Sequence, residues 1–172
     1  MQTTPQTGTP NAPFSSSRSG SSRKPAKKKT GRSRPLELPA VRLATAADAQ
    51  ALKALVVATH KHPFLAELDF SDCSPYWLIA GMYGVAVGCL EVLPGKPIGR
   101  LEYLSVSDDV DQRSRAIIVK SLCYAGMMTL KAMGAQAQSI VVGHEHKGFK
   151  KALKNRGHVV IGSGNLMLKD LR

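Results

Sequence analysis

Apolar and polar positions change period several times along this chain, and each change marks an element. Residues 41–44 read as a short strand. Thr45 follows as an N-cap, with Asp48 three residues on at the start of an apolar-periodic run, the spacing of a capping box. That run predicts a helix over 46–60 with Leu52, Leu55, Val56 and Thr59 on its buried face. Pro63 ends the region, and 64–70 adds a short second helix. From Tyr76 the pattern becomes extended. Three apolar runs at 77–83, 85–93 and 98–107, punctuated by Gly84 and by Pro94-Gly95-Lys96-Pro97, predict an antiparallel meander.

Helical periodicity returns over 112–133, carried by Ile117, Ile118, Leu122, Ala125, Met128 and Leu130, with Gly134 placed to end the helix. A strand at 139–143, a helix at 149–156 closed by Gly157, and strands at 158–161 and 166–171 joined through 162–165 complete the chain. The predicted order is β-α-α-β-β-β-α-β-α-β-β, an α/β fold with a mixed sheet.

Residues 1–39 have no such pattern. They are rich in Ser, Thr, Pro, Gly and Lys, and they hold too little apolar surface to offset the entropy of ordering. The expected division is therefore a disordered arm, 1–39, and one domain, 40–172. Charge sharpens this division. Arg18, Arg23, Lys24, Lys27, Lys28, Lys29, Arg32 and Arg34 carry eight of the net +12 with no acid among them, leaving +4 for the remainder. Such density over 18–34 suits nucleic acid or another acidic partner, because displaced counterions give affinity without sequence readout; it serves equally as a solubilising tail or localisation tag. No apolar core follows a positive N-terminal region, and the longest apolar stretch, 77–90, is too short and too broken by glycine to span a bilayer. A soluble, cytoplasmic protein without membrane contact is expected. Cys73, Cys89 and Cys123 lack metal-ligand spacing and read as reduced, mainly buried thiols.

Two stretches extend the picture. Gly99-Arg100-Leu101-Glu102-Tyr103-Leu104-Ser105-Val106 resembles the central fourth strand of the GCN5-related N-acetyltransferases (GNAT), and Ala152-Leu153-Lys154-Asn155-Arg156-Gly157-His158-Val159-Val160 resembles their closing helix-to-strand turn. The element order is also similar to theirs across nearly all of 41–172. In size the chain resembles short GNAT-like proteins encoded by tailed bacteriophages, which would make it a viral, virion-associated protein.

The resemblance implies that acetyl-CoA lies where the fourth strand splays from the fifth, with pantetheine pairing to Leu104, Ser105 and Val106. It implies that the pyrophosphate sits at the next helix's N-terminus, on Gln112, Arg113, Ser114, Arg115, Ala116 and Ile117, where free amides and the helix dipole favour an anion. The family's loop there reads Gln/Arg-x-x-Gly-x-Gly/Ala, and this sequence has neither glycine. Side chains at those positions crowd the approach of backbone amides to phosphate. Asp108, Asp109 and Asp111 add opposing charge just upstream, unless they cap the helix, as Asp111 is expected to do. Where family members carry a tyrosine that protonates the leaving thiolate, this chain has Leu153. Glu102 remains as a candidate base. Alternation puts it on the opposite face from Leu101 and Tyr103. Tyr103, Tyr124 and Ser105 are the candidate replacement acids, each equally suited to ordinary packing.

His60-Lys61-His62 and His144-Glu145-His146 invite comparison with metal sites, but nothing in the sequence brings the pairs together, and no metal is expected. Lys147, Lys150, Lys151 and Lys154, at i, i+3, i+4 and i+7, make one positive helical stripe, fit for a phosphate or simply for solvent. Two functions stay open. One is an acetyl-CoA-dependent N-acetyltransferase acting on an amine. The other is a non-catalytic scaffold of the same fold, homo- or hetero-oligomeric, whose basic arm holds nucleic acid or another chain.

Overall fold

The computed structural model of the protein describes residues 38–71, 76–143, 146–161 and 166–172. The elements are β1 (Ala40–Leu43), a 3-10 turn (Ala46–Asp48), α1 (Ala49–His60), α2 (Pro63–Glu67), β2 (Trp77–Met82), β3 (Val85–Leu93), β4 (Ile98–Val106), α3 (Gln112–Ala132), β5 (Ala137–Val141), α4 (Lys147–Lys154), β6 (Val159–Ile161) and β7 (Leu166–Asp170). This is the expected order with the first helical turn tightened to 3-10. The β5 strand and α4 each begin two residues before their expected starts. The basic stretch 18–34, Cys73, His144, Glu145 and the 162–165 connection lie outside the described residues.

One sheet runs β1-β2-β3-β4-β5-β7-β6. Only β4 and β5 are parallel neighbours; the other pairs are antiparallel, with β2, β3 and β4 forming the expected meander. Tyr83 and Gly84, both left-handed at φ 52° and 77°, make the tight turn between β2 and β3.

Strand alternation explains the continuous apolar run of β2. Trp77 and Ile79 join Leu52, Val56, Leu65, Phe70 and Cys89 beneath α1 and α2. Leu78 and Ala80 point the other way, joining Leu90, Leu101, Ile118, Leu122 and Leu130 under α3, a cluster that continues into Ile140, Leu153 and Met167. The start of the α1 region is fixed by Asp48, whose carboxylate accepts the Thr45 amide at 2.8 Å and both Arg42 guanidinium nitrogens at 2.7 and 2.8 Å. That guanidinium holds the Asp48 carboxyl well below the usual range.

Two positions expected on buried faces are exposed. Thr59 lies in the last turn of α1, beyond the cluster that covers Leu52, Leu55 and Val56. Met128 is 46% exposed because the buried face of α3 repeats every fourth residue through Ile118, Leu122, Gly126 and Leu130, and Met128 falls between the last two.

The α3 helix lies close to the sheet because glycines leave room for it. A Cβ on Gly88 would meet Ile118 Cγ2 at 2.8 Å and the Ser105 carbonyl oxygen at 3.1 Å, and one on Gly126 would meet Leu101 and Leu90 at 2.9 Å. Gly88→Ala is therefore expected to destabilise the fold by about 1–3 kcal/mol through overpacking, read as a lowered urea midpoint.

His158 supplies a second, pH-dependent contribution. It is buried, with Nδ1 donating to the Leu153 carbonyl at 3.1 Å and Nε2 2.8 Å from the Gln138 side-chain amide, an arrangement that suits a neutral ring. Burial pushes its pKa down, and Lys169 and Arg156 act in the same direction against the Leu153 bond. The unfolded chain thus takes up this proton more readily, so stability is complete above the ordinary value of 6.5 and is lost as pH falls below it. Urea titrations between about pH 8 and about pH 5 should show this decline, with a shallower slope in His158→Gln; equal slopes would acquit His158.

Candidate functional site

The site is built around an irregularity in β4. The β3–β4 ladder pairs Cys89 with Ser105 and then Glu91 with Glu102, so Leu90 alone opposes Tyr103 and Leu104. The extra residue is a β-bulge, and Tyr103 takes a left-handed φ of 48° within it. On its other edge β4 pairs with β5 only from Ile98–Ala137 to Leu101–Ile140. Residues 102–106 continue past the end of that ladder, so the two parallel strands part at the bulge.

The bulge corrects the expected direction of Tyr103. Leu101 and Glu102 face opposite sides, but Tyr103 turns to the same side as Glu102, where its ring stacks on Trp77 at 6.1 Å with 27° between planes. His60, at the end of α1, meets Tyr103 edge-on at 5.4 Å. The Tyr103 carbonyl accepts the Ser105 hydroxyl at 3.0 Å and is also hydrogen-bonded by His60. Partial desolvation pushes the His60 pKa down against that bond, and His146 lowers it further. One member of each histidine pair thus approaches the other, which sequence spacing did not suggest. Among the described residues no three His, Cys, Asp or Glu side chains gather as metal ligands would.

Glu102 is half-buried and makes a loose ion pair with Arg100 at 3.4 Å. Directly across the ladder stands Glu91, a residue that sequence reasoning missed. Opposed residues of an antiparallel pair share a face, and burial followed by the Glu102 charge raises the Glu91 pKa, with Arg100 offsetting part of this. The Glu91 carboxyl makes no hydrogen bond or ion pair among the described residues. It lines a cleft of about 200 Å³ between α1, α2 and the sheet, walled by Phe70, Trp77 and Tyr103 and closed by Val56 and Leu65. Phe70 packs on Trp77 at 5.7 Å. The signal available in sequence was Glu91 itself, an acid inside an apolar strand.

At the start of α3, Asp111 is the N-cap. Its Oδ1 accepts the amides of Arg113 at 2.9 Å and Ser114 at 3.1 Å, and bonds from Ser114 and these amides hold its carboxyl below the usual range. Arg115 donates to the Ser107 carbonyl and to Asp108, each at 3.2 Å, while its buried Nε has no hydrogen-bond partner among the described residues. Gln112, Arg113 and Ala116 are exposed, Ile117 is half-buried, and Ser114 is buried. Leu104 and Val106 pack toward α3 from the parted segment of β4, and Ser105 is fully buried.

Leu153 is 2% exposed and lies in the core. Tyr124 stands exposed on α3. On α4, Lys147, Lys151 and Lys154 are exposed opposite Phe149 and Leu153, which pack inward.

The carboxylate pair is directly testable. Glu102→Gln removes the charge that raises Glu91, so a carboxyl-carbon NMR titration should show the Glu91 pKa moving down toward its ordinary value. An unchanged titration would mean that burial alone raises it.

No family model matches this sequence, and no curated protein matches it. Solved structures do. A Mycobacterium tuberculosis protein in complex with CoA superposes with a TM-score of 0.63 at 14% identity, over 78% of this chain and 100% of that one. The PaiA N-acetyltransferase of Thermoplasma acidophilum, in complex with coenzyme A, gives 0.58 at 13% identity over 77% and 98%. A GNAT-family acetyltransferase of Staphylococcus aureus gives 0.61 at 12% identity over 78% and 99%. Together with the parting of β4 from β5, these superpositions establish that the chain has the fold of the GNAT acetyltransferases.

Proposed function

We propose that the protein is an acetyl-CoA-dependent N-acetyltransferase acting on an amine. The observation that carries this reading is the parted β4 edge beside the bulge, with the Glu91–Glu102 pair on the adjoining face. Leu104, Ser105 and Val106 would hold the pantetheine through the strand backbone, and the start of α3, from Gln112 to Ile117, would receive the pyrophosphate. Bound acetyl-CoA would supply an activated thioester carbonyl. Glu102, directly or through water, takes the proton that leaves the attacking nitrogen. The neighbouring Glu91 keeps a proton-accepting carboxylate nearby, and Tyr103, which faces the same cleft, is the candidate donor to the departing thiolate.

The residues present fit the cofactor with one competing group. Asp111 already occupies two of the amides that a pyrophosphate would use. It is a single exposed carboxylate, whereas a pyrophosphate brings greater charge and Arg113 stands exposed beside it, so the cap is displaceable.

Calorimetry with acetyl-CoA tests both points. Micromolar binding is expected in the wild type, and Asp111→Asn should tighten it roughly two- to fivefold, because asparagine still caps but no longer repels the anion. Glu102→Gln should retain that binding while turnover falls roughly a hundred- to ten-thousandfold; full turnover would remove Glu102 from the mechanism.

A second reading rests on Leu153, buried in the core where the family carries its acid, and on the Asp111 cap. In it the fold is a scaffold without catalysis, and the basic stretch 18–34 binds nucleic acid or an acidic chain. No heat at millimolar acetyl-CoA would select this reading.

A further inference from the structure

The cleft between α1, α2 and the sheet has a chemistry of its own. Its walls are the faces and edges of Phe70, Trp77 and Tyr103, so it is apolar and rich in π density. The ionisable groups lining it besides Tyr103 are both acids, Glu91 and Asp69. Glu91 is half-buried and faces Glu102, and its carboxyl makes no hydrogen bond or ion pair among the described residues. Asp69 accepts the Ser71 amide at 2.8 Å at the rim, which favours its charged form. The nearest cations act from outside the lining. Arg100 pairs with Glu102 and also acts on Glu91, and Lys53 lies within electrostatic reach of Asp69.

We propose that this cleft binds a primary ammonium carried on a short apolar, preferably aromatic, body, with the charge on Glu91 and the body against the Trp77–Tyr103 stack. An anionic or zwitterionic occupant would bring its carboxylate against two acids, and a neutral one would leave the half-buried Glu91 with only the partial offset of Arg100. An ammonium resolves both, and the aromatic walls add cation–π attraction. A volume near 200 Å³ suits a small monoamine and excludes a folded polypeptide from the cleft itself. The assignment names the acceptor class for the acetyltransferase reading and rests on that reading for its biological sense, but the binding it asserts is independent of acetyl transfer. On this geometry Glu91 holds the amine while Glu102, across the ladder, stands ready for its proton.

Trp77 is the chain's single tryptophan and forms a wall of the cleft, so its fluorescence reports occupancy without any added label. Titration of the full-length protein with 2-phenylethylamine, with and without acetyl-CoA, should give a saturable change in Trp77 emission. On the same wild-type protein 2-phenylethanol and 3-phenylpropionate should bind at least about tenfold more weakly, the scale of a lost charge-assisted hydrogen bond. Glu91→Gln, with its fold checked by circular dichroism, should weaken the amine by a similar factor and leave the alcohol unaffected. Equal affinity for amine and alcohol, or no saturable change in either cofactor condition, would overturn the assignment. Amine binding without acetyl-CoA binding would uphold the cleft and defeat the transferase reading; acetyl-CoA binding without amine binding would do the reverse.

Discussion

A single inserted residue in β4 governs the site. Because Tyr103 and Leu104 together oppose Leu90, every β4 side chain after Glu102 is displaced by one position relative to β3. The alternation that would have sent Tyr103 beneath α3 instead gives that place to Leu104, which packs in the α3 cluster. A bulge also increases local twist, which accounts for β4 leaving β5 just past Leu101. The left-handed conformation of Tyr103 is costly for a residue with a side chain, on the order of 1–2 kcal/mol. Its carbonyl is held by Ser105 and His60 and its ring by Trp77, so the surrounding structure keeps the strained geometry in place.

The aromatic cleft and the start of α3 differ in charge logic. Around the bulge, two carboxylates face each other across the ladder, with one arginine loosely paired to Glu102. At the start of α3, acids and arginines are already matched, with Asp111 on the helix amides and Arg115 on Asp108. The first region has an unmet demand for positive charge, and the second must release internal bonds before it can take negative charge. An amine and a phosphate therefore meet different barriers. On the proposed reading, the amine would enter a site already partly desolvated, and the phosphate would exchange with groups that solvent reaches.

Periodicity made the element order legible, because the shift from fourfold to twofold spacing at Tyr76 and back at Gln112 is strong, and Thr45–Asp48 and Asp111 are capping signals with a local cause. Alternation could not reveal the bulge, since a bulge is the one place where alternation fails. Neither Tyr103's direction nor its contact with His60 was therefore readable. Glu91 was hidden for a related reason. Its significance depends on the register between β3 and β4, and register is a tertiary fact that a single strand's pattern does not contain. The approach of His60 to His146 likewise joins the end of α1 to the start of α4, segments far apart in sequence.

The costs in this fold are not spread evenly. A half-buried carboxylate beside a like charge disfavours folding, as does a tyrosine in a left-handed conformation, and both occur within one turn of the β3–β4 ladder, against the same aromatic cleft. Packing does not require either. A glutamine at position 91 would fill the same volume without the charge, and a regular ladder would keep β4 beside β5. On the reading proposed above, a cleft that receives a cation beside a parted strand would use both. Strain and like charge thus coincide on one face of the sheet, with Arg100 offsetting only part of that charge.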